Sequence, residues 1–272
     1  MSGYKLIAFD MDGTLLNSKK QVSSAVIDGI NKAFDMGKEV VLSTGRCLPE
    51  LIEFFELIPK LRYAVAVSGG YVYDYHEHKI VYEKPIKESV IIDLLKFANH
   101  REDIMIHMLN EKSYIEKRCL ENMTRYGMQP YINMFRNVAT PVDNLLEYYK
   151  ANPQKIHKIN LYHSSPEDRL KTEAQLVGIN AELTHSEWSS LECTAKGVTK
   201  GDGLIGLCEL LGIDISEAIA VGDSENDVGM LDVAGLAIGM GNSVESIKKH
   251  CDVFVADNNN DGALEAIEKF LL

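Results

Sequence analysis

YKLIAFDMDGTL, residues 4–15, is a short apolar run that stops at a carboxylate. Tyr4–Phe9 has strand character with no polar alternation, which fits a strand covered on both faces, and Asp10 begins the loop at its carboxyl end. Moving outward, Val26, Ile27, Ile30, Ala33 and Phe34 recur at helical spacing within Ser23–Met36. Glu39–Leu42 reads as a second strand followed by Ser43-Thr44-Gly45-Arg46, and Pro49 opens a helix over Glu50–Leu57. Tyr63–Val67 is a third strand ending in Ser68-Gly69-Gly70. Strands alternating with helices over short links predict an α/β fold, a parallel sheet covered by helices. Tyr71–Tyr82 then reads as a hairpin with Asp74–Lys79 as its polar turn.

The middle of the chain has another character. The pattern predicts helices over Lys87–Asn99 and Pro166–Leu176, and strands over Asp103–Leu109, Lys112–Glu116, Ile156–Tyr162, Gly178–Thr184 and Ser190–Thr194. Without strict alternation these suggest a small inserted α+β unit. After Thr199 the α/β rhythm returns. Helices are expected over Lys200–Leu211 (closed by Gly212), Asn226–Val233, Val244–His250 and Ala263–Leu271, with strands over Ala218–Val221, Leu236–Ile238 and Val253–Val255. The expected division is a discontinuous core, residues 1–83 and 190–272, with residues 84–189 inserted.

The 272 residues carry 28 Lys and Arg against 40 Asp and Glu, a net charge of −12 that disfavours nucleic acid and anionic membrane as partners. No apolar run is long enough to span a bilayer, and the N-terminus lacks the basic head and apolar middle of a signal peptide, so a cytoplasmic protein is expected. The five cysteines at 47, 119, 193, 208 and 251 are odd in number and contain no CxxC, which argues for reduced thiols over structural zinc or a disulfide framework.

Chemistry concentrates at the ends of the core strands. In an open parallel sheet ligands bind beyond the carboxyl ends, so Asp10, Asp12 and Asp223 converge on one edge together with Thr44 and Ser68. Convergent carboxylates repel unless a cation lies between them, and a small oxygen cluster with open positions suits Mg²⁺. An Asp at a strand end can attack phosphorus, and a second carboxyl two residues on can protonate the leaving oxygen and later deprotonate water. Gly13 allows the tight turn that aims amides at phosphoryl oxygens, and Lys200 offers a point charge. Asp223 and Asp227 flank a helix start, so one can ligate the metal while the other orients ligands or Lys200.

DMDGTL at 10–15, LSTGR at 42–46, the Lys of GVTKGDGL at 197–204 and GDSEND at 222–227, in this order, resemble the four motifs of the haloacid dehalogenase superfamily, and more closely its Cof-type sugar-phosphatase branch. The resemblance runs through GMGNS at 239–243 to DNNNDG at 257–262 and covers nearly the whole chain. It implies a Rossmann-like core whose insertion is an α/β cap of the C2B type. It implies Asp10 as nucleophile, Asp12 as general acid and base, and Lys200 as the neutralising charge. It further implies Thr44, Gly45 and Asn226 in phosphoryl binding. Mg²⁺ would be held by Asp10, the backbone carbonyl of Asp12 and Asp223, with Asp227 beside them. Arg46 either contacts substrate or forms a salt bridge. Two segments depart from the family pattern: Gly69-Gly70-Tyr71 stands where Asn-Gly-Ala is usual, and Asp257 where a Thr is usual.

The expected activity is Mg²⁺-dependent hydrolysis of small phosphorylated metabolites, sugar phosphates foremost. A phosphomutase of similar fold and a phosphometabolite-binding regulator are the alternatives. Other signals have plainer readings. Gly239-Met240-Gly241 lacks the third glycine of a dinucleotide fingerprint, because Val244 stands there. His76 and His78 sit in a polar turn without further ligands, and Trp188 and the tyrosines of the insertion read as half-buried packing.

Overall fold

The computed structural model describes residues 3–272. Met1 and Ser2, part of the N-terminus read above, lie outside the described residues. In chain order the strands are β1 Leu6–Phe9, β2 Glu39–Ser43, β3 Tyr63–Ala66, β4 Tyr71–Asp74, β5 Lys79–Glu83, β6 Ile104–Leu109 and β7 Ser113–Glu116. There follow β8 Ala139–Val142, β9 Lys158–His163, β10 Ala181–Ser186, β11 Ser190–Ala195, β12 Ala218–Gly222, β13 Leu236–Gly239 and β14 Val253–Phe254. They form two sheets, and the chain divides into two compact units. One comprises the residues up to Gly45, Ile52–Glu83 and Thr199–Leu272; the other comprises Arg46–Leu51 and Lys84–Val198.

The first unit holds an eight-stranded sheet in the order β14-β13-β12-β1-β2-β3-β4-β5. The pairs from β14 through β3 are parallel, and the hairpin strands β4 and β5 add an antiparallel edge. From β1 the chain proceeds outward through β2 and β3, and it later returns to β12 on the opposite side of β1. This reversal makes a crevice beyond the carboxyl ends of β1 and β12, the usual ligand position in such sheets. All four residues of β1 are buried, so its apolar run is explained by cover on both faces.

Leu6, Ala8, Val41, Val65, Val72, Ala218 and Ala220 pack with Leu204, Leu207 and Cys208 of the helix Lys200–Leu211 and with Met230 and Leu231. Burial of each large aliphatic side chain contributes roughly 1.5–3 kcal/mol. That helix begins with a reciprocal cap, in which the Thr199 backbone N–H donates to Asp202 Oδ2 at 2.9 Å, and it ends at Gly212 with φ +65°. It also lies unusually close to its neighbours. A Cβ on Gly201 would strike the Gly229 carbonyl, and one on Gly203 would meet the Val65 side chain and the Gly69 Cα. Gly69 itself has φ +92°, and a Cβ there would collide with the Thr199 carbonyl. The departure at residue 69 therefore places a glycine where the backbone at the start of the Lys200 helix leaves no space.

In the second unit the sheet order is β10-β11-β9-β6-β7-β8. Only β7 and β8 pair in parallel; the other pairs are antiparallel. Ile104, Ile106, Met108, Ile159, Leu161, Leu191 and Cys193 pack against the helices Glu88–Ala98 and Leu145–Ala151. β11, read as one of the inserted strands but left with the core by the expected division at residue 190, pairs with β9 and β10, and the unit extends to Val198. β8 was missed, because Pro141 argues against a strand; it is tolerated on the sheet edge. The helices Lys117–Glu121, Ile132–Val138 and Leu145–Ala151 are too short to show a clear period. The expected strand at 178–184 begins three residues later, after the left-handed Gly178. In the first unit, 3-10 turns replace the expected helix at 244–250 and open the one at 226–233, and Ile267–Leu271 closes the chain as a π-helix.

The glycine contacts give a direct test. Gly203→Val is expected to lower the Tm by the equivalent of about 1–3 kcal/mol through overpacking. Thermal unfolding followed by circular dichroism measures it; an unchanged Tm would show that the helix can retreat from Gly69.

Candidate active site

Lys200 is the first residue of its helix, and its side chain is fully buried. Its ammonium lies 2.6 Å from Asp10 Oδ1 and 2.6 Å from Asp227 Oδ1. A cation at a helix N-terminus is opposed by the helix dipole, so these two carboxylates must offset both that field and the loss of water. Burial disfavours the ammonium, but Asp10 and Asp227 more than compensate and hold Lys200 protonated, above the ordinary lysine range.

Asp227 is completely buried, and both of its oxygens are engaged. Oδ1 accepts from Lys200, and Oδ2 accepts from the backbone N–H groups of Asp223 at 2.9 Å and Ser224 at 3.0 Å. The Ser224 hydroxyl also donates to Asn226 Oδ1 at 2.7 Å, so the turn after β12 is tied to itself. Asp223 accepts from the Thr14 hydroxyl at 2.9 Å, which links the loop after β12 to the loop after β1. Gly13, at φ +94°, permits this approach, since a Cβ there would enter the Asp223 carboxylate.

Asp10, Asp223 and Asp227 each present an oxygen within 4.8 Å of the others. Three carboxylates against one ammonium leave an excess of negative charge. Burial, and then Asp227, raise the Asp10 carboxyl well above its usual range, with Lys200 pulling it back. Burial and Asp227 likewise push Asp223 up to about 7, against the Thr14 hydrogen bond. Oxygen donors carrying an uncompensated negative charge fit a hard divalent cation.

The remaining expected residues are distributed as follows. Asp12 is part-exposed, and Oδ1 accepts from the Lys20 ammonium at 2.7 Å. Thr44 is buried after β2; its N–H donates to the Val65 carbonyl at 2.8 Å, and its carbonyl accepts from Ser68 N–H at 2.9 Å. Gly45 closes the first unit's segment, whereas Arg46 belongs to the second unit, where its charge lowers the buried Glu50 carboxyl against the upward push of burial. Val67, Ser68 and Gly69 all have positive φ, a strained bend at the carboxyl end of β3.

Thr14, Lys20, Ser224 and Asn242 were not singled out from the sequence. Asn242 donates to the Gly13 carbonyl at 2.8 Å, so the Gly239-Met240-Gly241 turn leads into a support for the first loop. Thr14 had a signal, its place in DMDGTL; Lys20 had none. His76 and His78 lie in the polar turn beyond β4, where Asp74 Oδ1 accepts the backbone N–H groups of His76 and Glu77. No two of the five cysteines are bonded, and four of them are buried. Trp188 is 59% exposed, contrary to a half-buried reading, because it sits in the turn joining β10 to β11.

With this geometry in place, comparison with known proteins assigns the class. The family model described as haloacid dehalogenase-like hydrolase matches residues 7–267. The chain belongs to this family, in its Cof-type branch, and is a hydrolytic enzyme. It is 27% identical over 273 residues to the 5-amino-6-(5-phospho-D-ribitylamino)uracil phosphatase YcsE of Bacillus subtilis, covering 98% of this chain and 96% of that one. It is 24% identical over 273 residues to the pyridoxal phosphate phosphatase YbhA of Escherichia coli, covering 98% and 99%. A solved haloacid dehalogenase-like hydrolase from Bacillus subtilis superposes with a TM-score of 0.86 at 25% identity, covering 97% of this chain and 99% of that one. Among the described residues no helix is long and apolar enough to cross a membrane.

Asp223 supplies a pH test. Its carboxyl is raised in the fold from 3.8 to about 7. Between about pH 4 and 7 the metal-free fold therefore binds more protons than the unfolded chain, and its stability falls as pH rises. In chelator, the Tm of Asp223→Asn relative to the wild type is expected to climb across that window; a pH-independent difference would place the raised carboxyl elsewhere.

Proposed function

We propose that the chain is a Mg²⁺-dependent phosphatase that hydrolyses small phosphorylated metabolites through an aspartyl phosphate on Asp10. The observation that carries this reading is the buried Lys200 ammonium, shared by Asp10 and Asp227 at 2.6 Å each, with Asp223 completing the carboxylate cluster. The names of the relatives support the reaction class, since YcsE and YbhA are phosphatases of two chemically unlike small phosphoesters.

Lys200 engages Asp10 Oδ1, which leaves Oδ2 to attack phosphorus. As the Oδ2–P bond forms, the P–O bond to the leaving group breaks, and Asp12 donates a proton to the departing oxygen. Water then attacks the phosphorus of the aspartyl phosphate while Asp12 takes up its proton, and the phosphate leaves from Asp10. Thr44, the Gly45 amide and Asn226 supply donors to the phosphoryl oxygens. The carboxylates of Asp10 and Asp223 and the backbone carbonyl of Asp12 would hold Mg²⁺, which supplies Lewis-acid neutralisation of phosphoryl charge. Asp227, with both oxygens occupied, orients Lys200 and the Asp223 turn from behind. Arg46 is read as a substrate contact or a salt-bridge partner, and its charge lowers the Glu50 carboxyl. The inserted unit is read as a substrate-selecting cap, and a cytoplasmic site of action agrees with the acidic composition and reduced thiols.

Asp10→Asn is expected to reduce phosphate release from p-nitrophenyl phosphate by several orders of magnitude while the protein stays folded, because the amide cannot attack phosphorus. Near wild-type turnover would remove Asp10 from this role. Chelation is expected to stop activity, and Mg²⁺ to restore it better than Ca²⁺, whose looser and larger coordination spoils in-line geometry. Full activity in excess chelator, with metal content measured, would overturn the metal requirement.

A further inference from the structure

The loop that leaves the nucleophile is built to bring one lysine back onto it. After Asp10 the chain turns tightly: Leu15 N–H donates to the Asp10 carbonyl at 3.1 Å and Leu16 N–H to the Met11 carbonyl at 2.8 Å. A second turn follows, centred on Asn17. Its N–H donates to the Gln21 carbonyl at 3.0 Å, its carbonyl accepts from Lys20 N–H at 2.9 Å, and its side-chain oxygen accepts from the N–H groups of Lys19 at 2.9 Å and Gln21 at 3.2 Å. Lys20 sits in this turn at φ +60°, a left-handed conformation that costs a non-glycine residue about 1 kcal/mol or more. The loop is also clamped from outside. Asn258 donates to the Leu16 carbonyl at 2.8 Å, Asn259 accepts from Ser18 N–H at 3.0 Å, and Asn242 both accepts from Asn258 N–H at 3.0 Å and donates to the Gly13 carbonyl at 2.8 Å. A strained lysine on an arm pinned at residues 13, 16 and 18 delivers its ammonium 2.7 Å from Asp12 Oδ1.

We propose that Lys20 is a positioning residue for proton transfer: it fixes the Asp12 carboxyl through Oδ1, so that Oδ2 is the oxygen that hands the proton to the leaving group. The inference rests on the phosphatase reading above, in which Asp12 is the general acid. In the step concerned the P–O bond breaks as Asp10 Oδ2 bonds to phosphorus, and the proton on Asp12 Oδ2 passes to the departing oxygen. The asparagine clamps hold the arm through its backbone, and from that base the Lys20 ammonium reaches Asp12. A lysine that bound the phosphoryl group itself would contribute equally to every phosphoester, whereas one that aims the acid matters most where the leaving group is poor.

Two esters of the same shape separate these roles: phenyl phosphate, which needs protonation of its leaving oxygen, and p-nitrophenyl phosphate, whose leaving group is already stabilised. The kcat/KM of each reports the first irreversible step, formation of the aspartyl phosphate. Lys20→Met is expected to lower kcat/KM for phenyl phosphate about tenfold more than for p-nitrophenyl phosphate, part of the factor that a positioned acid contributes. Lys20→Arg, which keeps a cation within reach of Asp12, is expected to recover most of the loss, and Lys20→Gln to behave as Lys20→Met. An equal fall on both esters, or no fall on either, overturns the positioning role while leaving the phosphatase reading intact. A wild-type enzyme that releases phosphate from neither ester overturns that reading and this one with it.

Discussion

One buried ammonium organises the unit that carries the eight-stranded sheet. Lys200 has no exposed surface, and the desolvation cost of such a charge is several kcal/mol unless partners surround it. Asp10 comes from the end of β1 and Asp227 from the turn after β12, so the ammonium joins the two central strands on either side of the chain reversal. The arrangement is deliberately incomplete in charge. One lysine cannot neutralise Asp10, Asp223 and Asp227, and the raised carboxyls of Asp10 and Asp223 are the electrostatic trace of that deficit. The same deficit makes the cluster a place for a dication.

Backbone proximity is what puts the ammonium there. The helix that carries Lys200 meets Gly229 through Gly201 and Gly69 through Gly203, and side chains at these positions would push it outward. Around the carboxylates the same economy recurs. Gly13 lets the first loop reach Asp223, and amides of residues 223 and 224 fill the far oxygen of Asp227. Asp227 is thus held by two backbone N–H groups, whereas Asp10 and Asp223 are held by the side chains of Lys200 and Thr14.

The inserted unit solves a different problem. One face of its sheet packs on helices through β-strand residues such as Ile159, Leu161 and Leu191. The opposite face carries Lys158 and Asn160 of β9, His107 of β6 and Glu192 of β11, all buried, with Lys158 and Glu192 paired at 2.9 Å. His107 and Glu192 both stand opposite Asn160 in the register. Burial holds the His107 ring neutral, down to about 3, helped by the nearby Lys158 charge. A polar face of this kind specifies register, because a slip of one residue would bury its charges among the aliphatics.

Sequence alone determined the elements whose period and length are unambiguous: β1, β2, β3 and β12, and the helix from Lys200 closed by Gly212. Local pattern also put Asp10, Thr44 and Asp223 directly after strands, Asp12 in the turn that follows β1, and Lys200 and Asp227 at helix starts. Tertiary structure decided the rest. β11 looks the same whichever sheet takes it, since pairing is a long-range choice, and β8 survives its Pro141 only because it lies on an edge. Asp227 and Asp223 are alike in sequence, yet Asp227 is saturated by Lys200 and two amides while Asp223 meets the side chains of Thr14 and Asp10. Lys20 lies eight residues from Asp12 with no motif to mark it, and only the fold of the intervening loop brings the two together. Period and composition describe what a segment presents to its surroundings; which partner arrives depends on distant chain, and that information is absent from any local pattern.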